Sequence, residues 1–186
     1  MSNENVKMGL DPQPNNKGVV ETRPKVPISA SVNTVNDLFV GGPYKITSGT
    51  VIAGVAGNAE LLAGVIVKLY DANEKEVKNL PKSTAGFADV TFQENQRYIT
   101  TISGTEFAND GSNNGAMYNI TDEAATASAN GLDGDSYSKI QLDGSTEATS
   151  TRQIIASFKV LKDGNLGGVT GTAVECVINP VNFQAW

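Results

Sequence analysis

From Asn36 onward the chain alternates between short apolar stretches and clusters of Gly, Asn, Asp and Pro, the punctuation of a β-rich fold. The spacing predicts strands over Asp37 to Val40 and Tyr44 to Thr47, on either side of Gly41-Gly42-Pro43, and over Thr50 to Val55. Leu61 to Asp71 is ambiguous at its start, because Ala59 to Ala63 could open a helix. The β-branched run Val65-Ile66-Val67 decides for a strand, and Asp71 to Glu74 then turns the chain into Lys75 to Lys78. Phe87 to Gln93 alternates, with Ala88, Val90 and Phe92 on a buried face and Asp89 and Thr91 on a wet one. Gln96 to Ser103 is expected to pair with it across Glu94-Asn95, with Tyr98 and Ile102 inward, and Ala116 to Thr121 is the next strand. Ser136 to Leu142, Arg152 to Leu161 and Thr172 to Asn179 are the most regular, the last with Val174, Cys176 and Ile178 on one face. These three are expected to form the antiparallel centre of a sheet, the last two joined as a hairpin with a wide glycine-rich loop. Asp122 to Gly134 reads as a short helix or a surface loop. The fold class is therefore all-β: an antiparallel barrel or sandwich with little helix, over residues 36–186.

Residues 1–35 differ in kind. They hold four of the seven prolines and no aromatic residue, so they neither sustain a helix nor build a core of their own. Such a segment either stays disordered or takes its order from a surface. Val19 to Ile28 alternates apolar and charged residues in a polyproline-like context, and we read it as an extended arm lying on a partner, by strand addition at a sheet edge. The candidate partner-binding residues are Val19, Val20, Arg23, Val26 and Ile28. Phe183 and Trp186 follow the last predicted strand. The single Trp packs either on its own barrel or into a neighbour, and in the second case both are interface anchors.

Composition narrows the chemistry. There is no His and one Cys in 186 residues, which removes His-based acid/base catalysis, His-containing triads and His/Cys zinc sites. Cys176, inward on its strand, reads as a core residue. A net charge of −6 argues against nucleic acid or an anionic membrane as partner. No stretch of the sequence reads as a signal peptide or membrane span, so the expectation is a soluble protein made in the cytoplasm.

Between Glu106 and Glu147 eight acidic residues face one basic one, Lys139. Asp110, Ser112, Asn114 and Gly115 resemble the first half of a calcium loop, but Thr121 stands where the closing Glu belongs, so a polar turn is expected. Asp133-Gly134-Asp135 is read the same way. Asp122, Glu123, Asp133 and Asp135 could form a glycosidase-type pair, but no sugar-stacking aromatic lies near them in sequence. No catalytic, cofactor or metal residue is assigned, and the chain is expected not to be an enzyme.

One resemblance organises these features. A Pro-rich arm leads to Phe39-Val40-Gly41-Gly42-Pro43-Tyr44-Lys45-Ile46, an alanine-glycine strand at Val51 to Ala56 and Leu62 to Val65. The chain closes with Arg152 to Phe158, a Gly-rich turn and Val174 to Pro180. This order resembles the head decoration, or capsid cement, proteins of tailed bacteriophages. The resemblance implies a structural virion protein on the capsid surface, made in the host cytoplasm. Its implied partners are the major capsid protein and, as a homo-oligomer, itself. Competing readings are a tail or head-fibre component, which would show repeats or heptads, and a bacterial surface-adhesion or carbohydrate-binding β-domain, which would need a secretion signal or a residue constellation for sugar.

Overall fold

The computed structural model describes residues 9–57, 60–103, 115–121, 138, 140–146, 152–166 and 169–186. In chain order the strands are β1 (Asp11–Pro12), β2 (Thr22–Ile28), β3 (Leu38–Phe39), β4 (Pro43–Thr47), β5 (Thr50–Ala53), β6 (Gly64–Asp71) and β7 (Glu76–Val77). They continue as β8 (Asn79–Leu80), β9 (Gly86–Thr91), β10 (Arg97–Ser103), β11 (Met117–Tyr118), β12 (Leu142–Asp143), β13 (Ile154–Leu166) and β14 (Val169–Ile178). Short 3-10 turns occupy Gly144–Thr146 and Pro180–Asn182. The chain is thus all-β, and its sheets face one another in a sandwich-like arrangement without closing into a barrel.

One sheet runs β1-β10-β14-β13-β11, with β12 added beside β10; the other runs β2-β9-β6-β4-β5, with β7 beside β6; β3 and β8 form a separate pair. Two apolar cores result. The first gathers Tyr98, Ile102, Tyr118, Ile154, Val174, Cys176 and Ile178 with Val65 and Leu10. The second gathers Val40, Tyr44, Val51, Ile66, Leu69, Ala88 and Val90 with Val26 and Ile28. Strand β6 serves both, because successive side chains leave a strand on opposite faces: Val65 enters the first core and Ile66 the second. That double burial is why its sequence is a continuous apolar run and not an alternation.

Several expectations need correction. Strands β9 and β10 do not form a hairpin. β9 pairs with β2 and β6, and β10 with β1 and β14, so the Glu94-Asn95 turn carries the chain from one sheet to the other. The Gln96 side chain stabilises this crossing by donating to the carbonyls of Gln13 (2.7 Å) and Arg97 (2.8 Å). Thr91, expected on the wet face, is fully buried at the junction of the two cores, while Phe92 is only half-buried. β13 and β14 are an antiparallel hairpin as expected, but their pairing continues from Ile154↔Ile178 through Gly164↔Gly171 to Leu166↔Val169, so the expected wide loop is instead mostly paired strand. Leu142 lies beside β10 in parallel, outside that pair.

The largest correction concerns the arm. β2 pairs antiparallel with β9, from Thr22↔Thr91 to Ile28↔Gly86, and Val26 and Ile28 are 4% and 3% exposed in the second core. Each such burial is worth about 1.5–3 kcal/mol. Upstream, Leu10 is buried in the first core, its N–H donating to the Gly41 carbonyl, and β1 pairs with β10. A side chain at Gly9 would place its Cβ 2.4 Å from that same carbonyl, so only glycine lets the chain enter here. The described part of residues 1–35 is therefore a strap across the edges of both sheets. It contributes to the protein's own cores because its few apolar residues fall where those cores have room.

Candidate functional site

The strap and the C-terminal tail meet on one face. Strand β2 is an edge strand, and its sequence limits what can pair on its open side: Pro24 and Pro27 carry no N–H, and the pairing register shifts between Arg23 and Val26. Within that bulge Lys25 has φ +48°, its N–H donates to Asp89 Oδ1 (2.8 Å), and its Nζ reaches Glu74 Oε2 (2.5 Å). Asp89 Oδ2 in turn accepts from the Tyr70 hydroxyl (3.0 Å). Arg23, just before the bulge, is thereby held in register with Val90.

The tail is placed by a chain of polar contacts. Pro180 ends β14 and opens a 3-10 turn capped by Asn179, whose side chain also donates to the Arg152 carbonyl (2.8 Å). Phe183 then bridges Leu62 in parallel. The Gln184 amide accepts from Ile46 N (2.7 Å) and donates to Ile46 O (2.8 Å), which pairs with the β4 backbone as another strand residue would. Trp186 comes to rest with its indole N–H on the Tyr44 hydroxyl (3.2 Å), its ring tilted 56° from the phenol at 6.4 Å between centroids.

Behind the indole lies a buried polar hub. The Tyr44 hydroxyl donates to the Thr91 carbonyl (2.7 Å). The Thr91 hydroxyl accepts from Val65 N (2.9 Å) and shares a 2.9 Å hydrogen bond with the Tyr98 hydroxyl. Burial pushes both phenols well above their ordinary range, since an ionised phenolate would lose its hydration there. The hub joins β4, β6, β9 and β10 to the tail.

In front of the indole stands Arg23. Its guanidinium carbon lies 4.2 Å from the Trp186 ring centroid and 5.7 Å from that of Phe92. Both separations fall in the cation–π range. The neighbouring Glu21 is engaged elsewhere, accepting from the side-chain amides of Asn15 (3.3 Å) and Gln93. Trp186 keeps 42% of its surface exposed, and Arg23 is exposed as well.

The predicted residues thus divide. Arg23 and Trp186 come together on the surface. Val26 and Ile28 are core residues and are withdrawn as partner contacts. Phe183 is half-buried against the first core and strapped to Leu62, so its role as an outward anchor is withdrawn too. Val19 is 53% exposed in a turn held by Asn15 Oδ1, and Val20 is half-buried. Phe92 and Tyr44 were not among the sequence candidates. Phe92 sat in an alternating pattern that pointed it inward, and no local signal tells that Tyr44 will receive the indole N–H.

The calcium-like residues 110–114, the pair Asp133 and Asp135, and Asp122 with Glu123 lie outside the described residues. Among the described residues no group of three or more His, Cys, Asp or Glu could hold a metal ion. Cys176 is 1% exposed, and burial raises its thiol far above the usual range, as suits a core residue. Compared with known proteins, the chain matches no family model, no curated protein and no solved structure.

Proposed function

We propose that the protein is a non-catalytic structural component of a phage virion that binds the outer surface of the capsid and stabilises contacts between major capsid protein subunits. Two things support the reading. The order of motifs from Phe39 to Pro180 resembles the capsid decoration proteins. The observation that carries it is the cluster of exposed Arg23 and part-exposed Trp186 with half-buried Phe92, built where strand β2 meets the C-terminal tail. Trp and Arg are the residue types that dominate binding energy at protein interfaces, and here they are pre-positioned by buried partners.

On this reading the strap does not reach across to a neighbour. It holds Arg23 against the tail, so binding proceeds from a rigid face and loses little ordering entropy. Many copies on a symmetric shell then add modest individual contacts into a large total by avidity. The protein's own copies are the second proposed partner, as a homo-oligomer on the shell.

The test mixes purified protein with capsids lacking it. Saturable binding is expected, with a rise in the temperature at which the capsids lose integrity, and the R23A and W186A variants should bind about tenfold or more weakly. Absence of saturable binding by the wild-type protein would remove the capsid from the account.

A further inference from the structure

The Arg23 guanidinium makes no hydrogen bond and no ion pair among the described residues. Its packing contacts are with the rings of Trp186 and Phe92. With no hydrogen bond spent, its N–H groups are available to form the fork that matches a carboxylate with two parallel hydrogen bonds. Glu21, the acidic residue nearest to Arg23 in sequence, has both carboxylate oxygens occupied by the amides of Asn15 and Gln93. The indole beneath cannot slide away easily, because its N–H is fixed on the Tyr44 hydroxyl and that hydroxyl on the Thr91 carbonyl.

We propose that Arg23, lying over Trp186 and flanked by Phe92, is a docking point for a carboxylate side chain on the surface of a partner protein. Charge selects this occupant. A positive fork with unspent donors on a chain of net charge −6 offers a local exception to an otherwise acid-repelling molecule. A Debye length of about 8 Å at physiological salt confines the repulsion from remote acidic residues. The rings around the fork lower the local dielectric and strengthen the pair relative to one made in open water. The proposal deepens the capsid reading by naming the chemistry that this face would meet there.

The single Trp supplies the readout, since it lies against the guanidinium. Intrinsic fluorescence of the full chain would be titrated at about physiological salt with a poly-glutamate peptide, with poly-lysine and with inorganic phosphate. A saturable change with poly-glutamate alone is expected. It should vanish in R23A and weaken about tenfold in R23K, which keeps the charge and loses the fork; circular dichroism would establish that both variants are folded. Equal responses in wild type and R23A, an equal response to poly-lysine, a response to phosphate as strong as to poly-glutamate, or no response at all would each overturn the proposal. Saturable poly-glutamate binding beside failure to bind capsids would leave the carboxylate dock standing and sink the capsid reading. Capsid binding undiminished in R23A would do the reverse.

Discussion

Thr91 ties together polar groups of three neighbouring strands at the junction of the two cores. Its hydroxyl serves the Val65 backbone and the Tyr98 phenol, and its carbonyl receives Tyr44. Thr91→Val keeps the shape but leaves the buried Val65 N–H without that acceptor, so we expect a loss of about 1–3 kcal/mol in a denaturant titration. The buried phenols of Tyr44 and Tyr98 give a pH signature. Their folded-state values lie above the ordinary value of about 10. The unfolded chain therefore ionises first, and unfolding above pH ~10 releases protons. Stability should be level with respect to these groups below about pH 10 and fall above it by up to about 1.4 kcal/mol per pH unit for each phenol, which a series of alkaline melts would check. Cys176 follows the same logic: a thiol reagent at neutral pH should leave the native protein unmodified and label it once it is unfolded. Of these residues Tyr98 and Cys176 were legible in the sequence, each placed inward by the apolar residues that alternate with it. The burial of Thr91, in contrast, depends on two sheets meeting around it.

At the scale of elements, the sequence conveyed strands better than partners. β6 was readable because Val65, Ile66 and Leu69 are apolar on both faces of one strand, and β14 because Val174, Cys176 and Ile178 keep a strict period of two. The expected β9–β10 hairpin failed for a physical reason. Glu94-Asn95 is a competent turn in either arrangement, and the choice between hairpin and sheet-to-sheet crossing rests on distant contacts such as Gln96 with Gln13. Glycine at position 64 belongs to this scale as well. A Cβ there would lie 2.2 Å from the Thr91 carbonyl oxygen, so Gly64→Ala should force β6 and β9 apart. We expect it to lower the melting temperature more than Thr91→Val does, or to prevent folding, with soluble yield and thermal melts as the measure. Ile28→Ala should cost about 2–5 kcal/mol, because it opens a cavity in the second core; a residue lying in solution or on a partner would lose almost nothing.

For the molecule as a whole, the decisive feature is that the Pro-rich beginning of the described chain completes the body it was expected to leave. Leu10 enters one core, and Val26 and Ile28 enter the other. Composition rightly says that such a segment cannot order itself, but it does not say whose surface supplies the order. The candidate face was half legible for the same reason. Arg23 and Trp186 each read as a binding residue, while their approach to 4.2 Å across the chain depends on β2 pairing with β9 and on Gln184 bonding to Ile46. If the strap were free in a lone molecule, Arg23 would not be held over the indole and the rigid face would not exist. Amide hydrogen exchange across residues 22–28, followed in dilute monomeric protein, tests this most directly: the account predicts protection comparable to that of its partner strand β9, and exchange as fast as in an unstructured peptide would contradict it.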